Sequence, residues 1–386
     1  MIRRLRKTTT LCALLLSGMG MLCLWKEAPP TDLSGASLAK SIFLKQAAFL
    51  AVGTAALGLS VLPNYQHYRR WAWGPYLVLL GALAGLLLAG RFTRGARGWY
   101  ALGPVHLQPA EFMKVALVLV LARLLMHGRN LDRWRGLVPP ILATALPAAL
   151  ILLQPDLGTA ILFIPTLLAM LYAAGSRKRH LAAIVLALAA AAPVGYLFFL
   201  KEYQRLRLAS FLHPDTIPAY QQKQSVMACA SGGLTGRGLG EGGAHLPFYV
   251  PDRHTDFVFS IVCEEMGFAG ATFVLLLFAV FFSESLQTAY RTREPFGRLI
   301  VVGLTTLLVT QSLINLGMTL GVAPITGLTL PFVSYGGSSL LTCMVSTGLI
   351  LNVAGRWQPG FSKNDLVGGS VEIREFRPPA RDWQAH

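Results

Sequence analysis

The sequence predicts an all-α polytopic membrane protein with about ten transmembrane helices and a long extracytoplasmic loop between the seventh and eighth. Three observations predict it. Of the 386 residues, 54% are hydrophobic and only 13% are charged, about half the charged share of a soluble domain. The apolar residues fall in runs long enough for a helix to cross a bilayer core, which takes about 20 residues. The basic residues sit in short clusters between those runs, as topology signals do.

In chain order the runs are 8–25, 42–62, 71–90, 111–127, 138–153, 157–174, 180–200, 256–283, 298–320 and 338–355. The first has the basic start and short core of a signal peptide. No A-x-A-like site follows it, and the charged pair Lys26-Glu27 does, so it is read as a membrane anchor. Only Gln154-Pro155-Asp156 separates the fifth run from the sixth.

Orientation follows from the short loops. The N-terminus carries Arg3, Arg4, Arg6 and Lys7, and every second loop after it is basic: Arg69-Arg70, then Arg129, Arg133 and Arg135, then Arg177-Lys178-Arg179, then Arg291, Arg293 and Arg298. The intervening loops are poor in net charge; loop 321–337 has none at all. Both termini are therefore expected in the cytoplasm, with residues 1–356 as the membrane domain and 357–386 as a cytoplasmic polar tail. One missed helix would invert the later half of this pattern.

The net charge of +16 does not indicate nucleic acid, because the basic residues form no single face. Cys12, Cys23, Cys229, Cys263 and Cys343 include no CxxC pair, so neither a metal site nor a disulfide framework is expected.

Several features do not fit a plain bundle. The expected outer loop 91–110 breaks the charge rule with Arg94 and Arg97, and Arg91 at its edge. An anionic ligand would account for them, as would snorkelling to lipid phosphates. The segment 201–255 is too long for a mere connection and carries Ser231-Gly232-Gly233, Gly236, Gly238, Gly240, Gly242 and Gly243. It is no Walker loop; it would suit either close backbone approach to an anion or a flexible loop.

Ionisable groups inside membrane segments are costly and by default suggest function. Glu111 and Lys114 lie three apart on the fourth run and can pair, as a structural ion pair or as part of a site. Asp156, at the tight turn before the sixth run, can cap it. Asp256 is expected to begin the eighth helix, on one face with Ser260 and Glu264. It too could be a cap, but it sits at the outer surface beside the long loop. Glu264 and Glu265 could simply bond neighbouring helices. Ahead of the last run, the uncharged stretch 324–339, with Ser334 and Ser338, reads as a broken or re-entrant segment. Such backbone is tolerated only where protein or water covers it.

These residues carry a resemblance. PITGLTLPFVSYGGSSLL (324–341) resembles the signature of the SEDS family of shape, elongation, division and sporulation proteins, which includes RodA and FtsW. GARGWYALGPVHLQPAEFMK (95–114), QPDLGT (154–159), SGGLTGRGLGEG (231–242) and PDRHTDFVFSIVCEEMGFAG (251–270) are similar to further family blocks, in family order. NLGMTLGVAPITG (315–327) looks closer to the RodA branch than to FtsW. The chain departs from the family pattern at Ala110, Asp252 and Cys263, and Gly98 leaves the alignment of Arg97 open. None of these removes an ionisable group.

The resemblance implies a peptidoglycan glycosyltransferase of cell elongation and shape that polymerises lipid II. A sugar 4-hydroxyl attacks an anomeric carbon, undecaprenyl pyrophosphate leaves, and the configuration inverts. One carboxylate then suffices as general base, since the pyrophosphate needs no protonation, and Asp256 is the expected base. Arg94, Arg97, Lys114, Arg207 and Lys223 are the expected cations for the leaving group, a task that Mg²⁺ or Mn²⁺ could share. Glu111, His254, Thr255, Ser334 and Ser338 complete the expected substrate-binding set. The resemblance further implies a class B penicillin-binding protein and other elongation-machinery membrane proteins as partners. A lipid II flippase or ion-coupled carrier would use similar intramembrane charges, but no inverted repeat is evident and the charges gather at one side. A septal paralogue is a further alternative, and a non-enzymatic scaffold would leave Asp256 dispensable.

Overall fold

The fold is that of a computed structural model, which describes residues 2–25, 33–89, 91–93, 96–102, 105–128, 131–198, 202, 204–206, 217–238 and 253–356. The helices are α1 (Ile2–Trp25), α2 (Leu33–Val61), α3 (Tyr65–Trp71), α4 (Trp73–Ala89), α5 (Pro109–Leu125), α6 (Trp134–Leu153), α7 (Leu157–Ala173), α8 (Lys178–Phe198), α9 (Ile217–Ser231), α10 (Val258–Arg291), α11 (Pro295–Thr319) and α12 (Gly337–Arg356). Each of the ten apolar runs coincides with a helix. Among the described residues, seven helices are long and apolar enough to cross a bilayer, and α3 with α4 makes an eighth across a 54° bend. The remaining two, α5 and α7, have 17 residues each. At ~1.5 Å per residue that is about 26 Å, close to the ~30 Å hydrocarbon core.

Packing is graded from the centre outward. Helix α12 buries most of its length against α2 and α1, and α5 packs among α4, α11 and α7, whereas α8 is almost wholly exposed to the surroundings. Several interior hydroxyls are met by their own helices: Thr166, Ser285, Ser346 and Thr347 each donate to the carbonyl four residues back. This back-bonding removes a polar group without a partner helix.

All five basic segments gather at one end. Arg123 Nη1 donates to the Arg70 carbonyl at 3.0 Å, Arg177 Nε to Asp132 Oδ1 at 2.7 Å and Arg298 Nη2 to the Ala173 carbonyl at 3.4 Å. Arg356 reaches the Leu62 carbonyl at 2.6 Å, and the Arg6 guanidinium lies against Gly355. An even number of crossings separates each basic segment from the next, as the loop-charge alternation requires.

The opposite end differs in places from the sequence reading. Loop 91–110 contains a small antiparallel sheet, β1 (Arg91–Thr93), β2 (Ala96–Leu102) and β3 (Val105–Leu107), in the order β1-β2-β3. The long segment 201–255 contains α9, whose Gln222 Nε2 donates to the Met318 and Ala323 carbonyls and whose Ser225 Oγ donates to the Thr319 carbonyl. Helix α9 is thereby laid across the end of α11. The tail 357–386 lies outside the described residues.

Candidate active site at the uncharged end

The stretch 321–336 contains no helix, so its carbonyls need partners from elsewhere. Helix α11 supplies them through two amides one turn apart. Asn315 Nδ2 donates to the Leu328 carbonyl at 2.6 Å and to the Asp256 carbonyl at 2.8 Å. Gln311 Nε2 donates to the Thr329 carbonyl at 2.9 Å, and its Oε1 accepts from Lys114 Nζ at 3.0 Å. Lys114 Nζ also donates to Glu111 Oε1 at 2.7 Å, with Lys114 0% exposed. The chain of contacts continues from Thr329 Oγ1 to Ser339 Oγ at 2.7 Å. One face of α11 thus joins the Glu111–Lys114 pair to the segment 328–329 and, one turn on, the same segment to Asp256.

Asp256 does not begin a helix. Residues 253–256 form a turn, α10 starts at Val258, and its N-cap is Phe257, which makes no side-chain cap bond. The carbonyls that a helix would direct to amides four residues on are taken instead. That of His254 accepts from Tyr335 N at 2.9 Å, and that of Asp256 accepts from Asn315. The expected shared face of Asp256, Ser260 and Glu264 therefore does not form; Ser260 Oγ turns back to the Phe257 carbonyl at 2.7 Å. Asp256 is half-buried. The His254 and Tyr335 rings meet edge-on, 5.7 Å apart. Ser334 is tied down locally: its Oγ accepts from Leu330 N at 2.8 Å, and its carbonyl accepts from Gln46 Nε2 at 3.3 Å.

The QPDLGT block adjoins the same stretch. Asp156 caps α7, accepting from Thr159 N at 3.0 Å and Thr159 Oγ1 at 2.8 Å, and Gln108 Nε2 approaches its Oδ2 at 3.3 Å. This is the capping role. Gly158 lets α7 approach closely, since a Cβ there would lie 2.6 Å from the Thr326 carbonyl oxygen. Ser338 Oγ accepts from Gln108 N at 3.1 Å and reaches the His106 carbonyl at 3.4 Å, joining the sheet to the start of α12.

The described part of the glycine-rich stretch grips a helix. Helix α10 breaks at Gly267, with φ 63° and ψ −162°, a conformation essentially reserved for glycine. The break exposes backbone groups that residues 233–238 satisfy. Arg237 N and Gly238 N donate to the carbonyls of Glu264 and Glu265, while Phe268 N and Ala269 N donate to those of Gly233 and Leu234. Glu264 lies just before the break, buried, with its Oε2 3.9 Å from Arg253 Nη1.

Residues 6–358 match the FtsW/RodA/SpoVE family of cell cycle proteins. The chain belongs to that family. It is 35% identical to the probable peptidoglycan glycosyltransferase FtsW of Geobacter metallireducens, over 81% of this chain and 85% of that one. It is 33% identical to the peptidoglycan glycosyltransferase MrdB of Escherichia coli, over 78% of this chain and 84% of that one. It also superposes, with a TM-score of 0.77 and 32% identity, on a chain of a peptidoglycan synthase complex studied for the coordination of polymerization and crosslinking. That match covers 90% of this chain and 96% of the other.

Within this FtsW/RodA/SpoVE member, the expected site residues divide in three. The turn with His254, Thr255 and Asp256, the Glu111–Lys114 pair, Ser334 and Ser338 meet at one end of the molecule. Lys223 lies on the exposed side of α9 near that end. Arg94 and Arg207 fall outside the described residues, as does the side chain of Arg97 on β2. Gln108, Gln311, Asn315, Arg253 and Thr329 were not singled out from the sequence. A search for charges misses amides, although Gln311 and Asn315, four apart in an apolar helix, are the same kind of signal in uncharged form.

Proposed function

We propose that this chain polymerises lipid II into glycan strands, with Asp256 as the general base that takes the proton of the acceptor 4-hydroxyl. The activity is that of the peptidoglycan glycosyltransferases to which the chain is similar. The observation that carries the residue assignment is the turn 253–257. It holds Asp256 outside α10 and half-buried, with its carbonyl joined through Asn315 to that of Leu328. As the hydroxyl attacks, undecaprenyl pyrophosphate departs from the opposite side of the anomeric carbon, which inverts it. Arg94, Arg97, Arg207 and Lys223 supply positive charge for the departing pyrophosphate. Lys114, neutralised by Glu111, orders the floor beneath it.

A divalent cation, Mg²⁺ or Mn²⁺, is a further source of such charge. Among the described residues no three His, Cys, Asp or Glu side chains stand close enough to hold one. It would rest on substrate phosphates with one or two carboxylates, the usual arrangement for Mg²⁺.

The basic end faces the cytoplasm in this reading, and the site faces outward. A membrane-impermeant thiol probe should therefore miss a cysteine placed at position 178 in intact cells; labelling there would reverse the orientation. The partner is a class B penicillin-binding protein, alongside other elongation-machinery membrane proteins. Ser37-Leu38-Ala39-Lys40 fits S-x-x-K, but no K-T-G triplet accompanies it, so crosslinking falls to another chain. The branch is elongation, on the strength of Pro324-Ile325-Thr326-Gly327.

The test is purified protein with lipid II, no nucleotide and no gradient, with and without the co-purified transpeptidase. The wild type should make strands, and faster with its partner. Asp256→Asn should lose about 10²–10⁴-fold in rate with normal expression. Asparagine is as good a helix cap as aspartate, so near-wild-type polymerisation by this variant would remove Asp256 from the mechanism and make Glu264 the next candidate.

A further inference from the structure

The basic end contains a cavity of about 510 Å³ that the polymerase reaction does not use. It is lined by Arg69, Arg70, Trp73, Arg123, Leu124, Met126 and His127, contributed by the α3–α4 bend and the end of α5. Three guanidiniums and an imidazole converge there, and among the described residues no carboxylate lines it. Two carboxylates of the same end are engaged elsewhere. Asp132 holds Arg177 at 2.7 Å, and Glu294 caps α11 through Gly297 N at 2.6 Å. Arg123 is half-buried, and its Nη1 donates to the Arg70 carbonyl at 3.0 Å. That bond fixes the α5 arginine beside the α3 pair without neutralising either. Positive charge concentrated in a cleft, with no anion from the protein, calls for an anion from outside.

The remaining lining says which anion. Trp73 stands at the start of an apolar span, with the exposed Trp71 one bend away, in the manner of side chains at a headgroup boundary. Below it on α4, Leu77 and Val78 face outward, 57% and 72% exposed, and Leu124 and Met126 give the cavity an apolar wall. A soluble phosphate would meet the arginines and leave this apolar surface uncovered. An amphiphile would meet both, with its phosphate between Arg69, Arg70 and Arg123 and its acyl chains descending along α4.

We propose that this cavity binds one anionic phospholipid, through its phosphate, from the leaflet at the basic end. Basic pockets between transmembrane helices are a recurrent way of holding such headgroups. The site is separate from the glycosyltransferase site, and its occupancy does not depend on that assignment.

Protein delipidated in a neutral detergent, then titrated with phosphatidylglycerol and followed by native mass spectrometry, tests the proposal. One adduct should persist at lipid concentrations where phosphatidylcholine gives none. Arg69→Gln with Arg70→Gln should weaken it about thirty-fold, which corresponds to ~1 kcal/mol per basic residue. Both side chains are exposed, so the fold should survive. Arg133→Gln with Arg135→Gln, which removes the same charge from the same end outside the cavity, should leave the adduct intact. Equal loss in the two variants would reduce the effect to bulk charge and overturn the proposal. So would equal retention of phosphatidylcholine, or displacement of the lipid by equimolar inorganic phosphate, which would make the site one for free phosphate.

Discussion

Arg177 meets Asp132 at 2.7 Å, and Lys114 meets Glu111 at the same 2.7 Å. The first pair stands in the open at the basic end, its side chains 49% and 66% exposed; the second is enclosed near the site, at 0% and 8%. Identical geometry thus has two meanings. In the open, water would solvate either charge if the other were lost, and the pair contributes little. Enclosed, each charge depends on its partner, and removing one strands the other. The exposed pair is a contact between charges that water can replace, while the enclosed pair is one that it cannot.

The largest expected effect follows from breaking the enclosed pair. Lys114→Met should destabilise the protein in detergent by about 3–5 kcal/mol, because Glu111 and the Gln311 oxygen lose their donor in a dry interior. Glu111→Gln with Lys114→Met should cost clearly less than Lys114→Met alone, since no stranded charge remains. Thermal unfolding of the two variants reads this directly. Equal losses would mean that the pair behaves like the exposed one and that burial is not what separates the two ends.

The same contrast explains what the sequence discloses. Long apolar runs and alternating basic loops are one-dimensional signals, and they yield the helices and the gathering of Arg70, Arg177 and Arg298 at one end. The charged half of the site is legible too, because Glu111, Lys114 and Asp256 stand out against apolar neighbours. What holds these residues in place does not stand out. Asn315 and Gln311 carry no charge, and their partners at Leu328 and Thr329 are backbone carbonyls, which have no sequence signature. The position of Asp256 outside α10 depends on Tyr335, nearly eighty residues later, competing for a helical carbonyl. Local propensity cannot express such a competition. The glycines are visible in the sequence, but the contact of residues 233–238 with the break in α10 is not, because its partners are backbone groups.

A smaller effect is expected at that break. Gly267→Ala places a side chain where φ is 63° and ψ −162°, at a cost of about 1–3 kcal/mol. Its Cβ would also lie 2.3 Å from Gly236 N, so the 233–238 turn must shift. Thermal unfolding should fall accordingly, and the amides of Arg237 and Gly238 should exchange hydrogen faster as their bonds to Glu264 and Glu265 loosen. Unchanged exchange with lowered stability would confine the strain to α10 and detach the glycine turn from it. The glycine turn would then not count among the specific contacts of this end.

The smallest effect belongs to the pair that began the comparison. Asp132→Asn should change stability by less than about 1 kcal/mol, and raising the salt should narrow even that difference, because exposed pairs are screened. Arg177 loses a partner but keeps its hydration. The neighbouring Lys178, Arg179, Arg133 and Arg135 also leave the charge of this end nearly as it was, so insertion should be normal. The variant is informative because its coordinates are as favourable as those of the buried pair. A loss approaching that of Lys114→Met would show that this contact fastens Asp132 to the start of α8 well beyond what the Leu131–His180 and Trp134–His180 contacts supply. The exposed pair would then be as specific a contact as the buried one, and exposure would no longer separate the two.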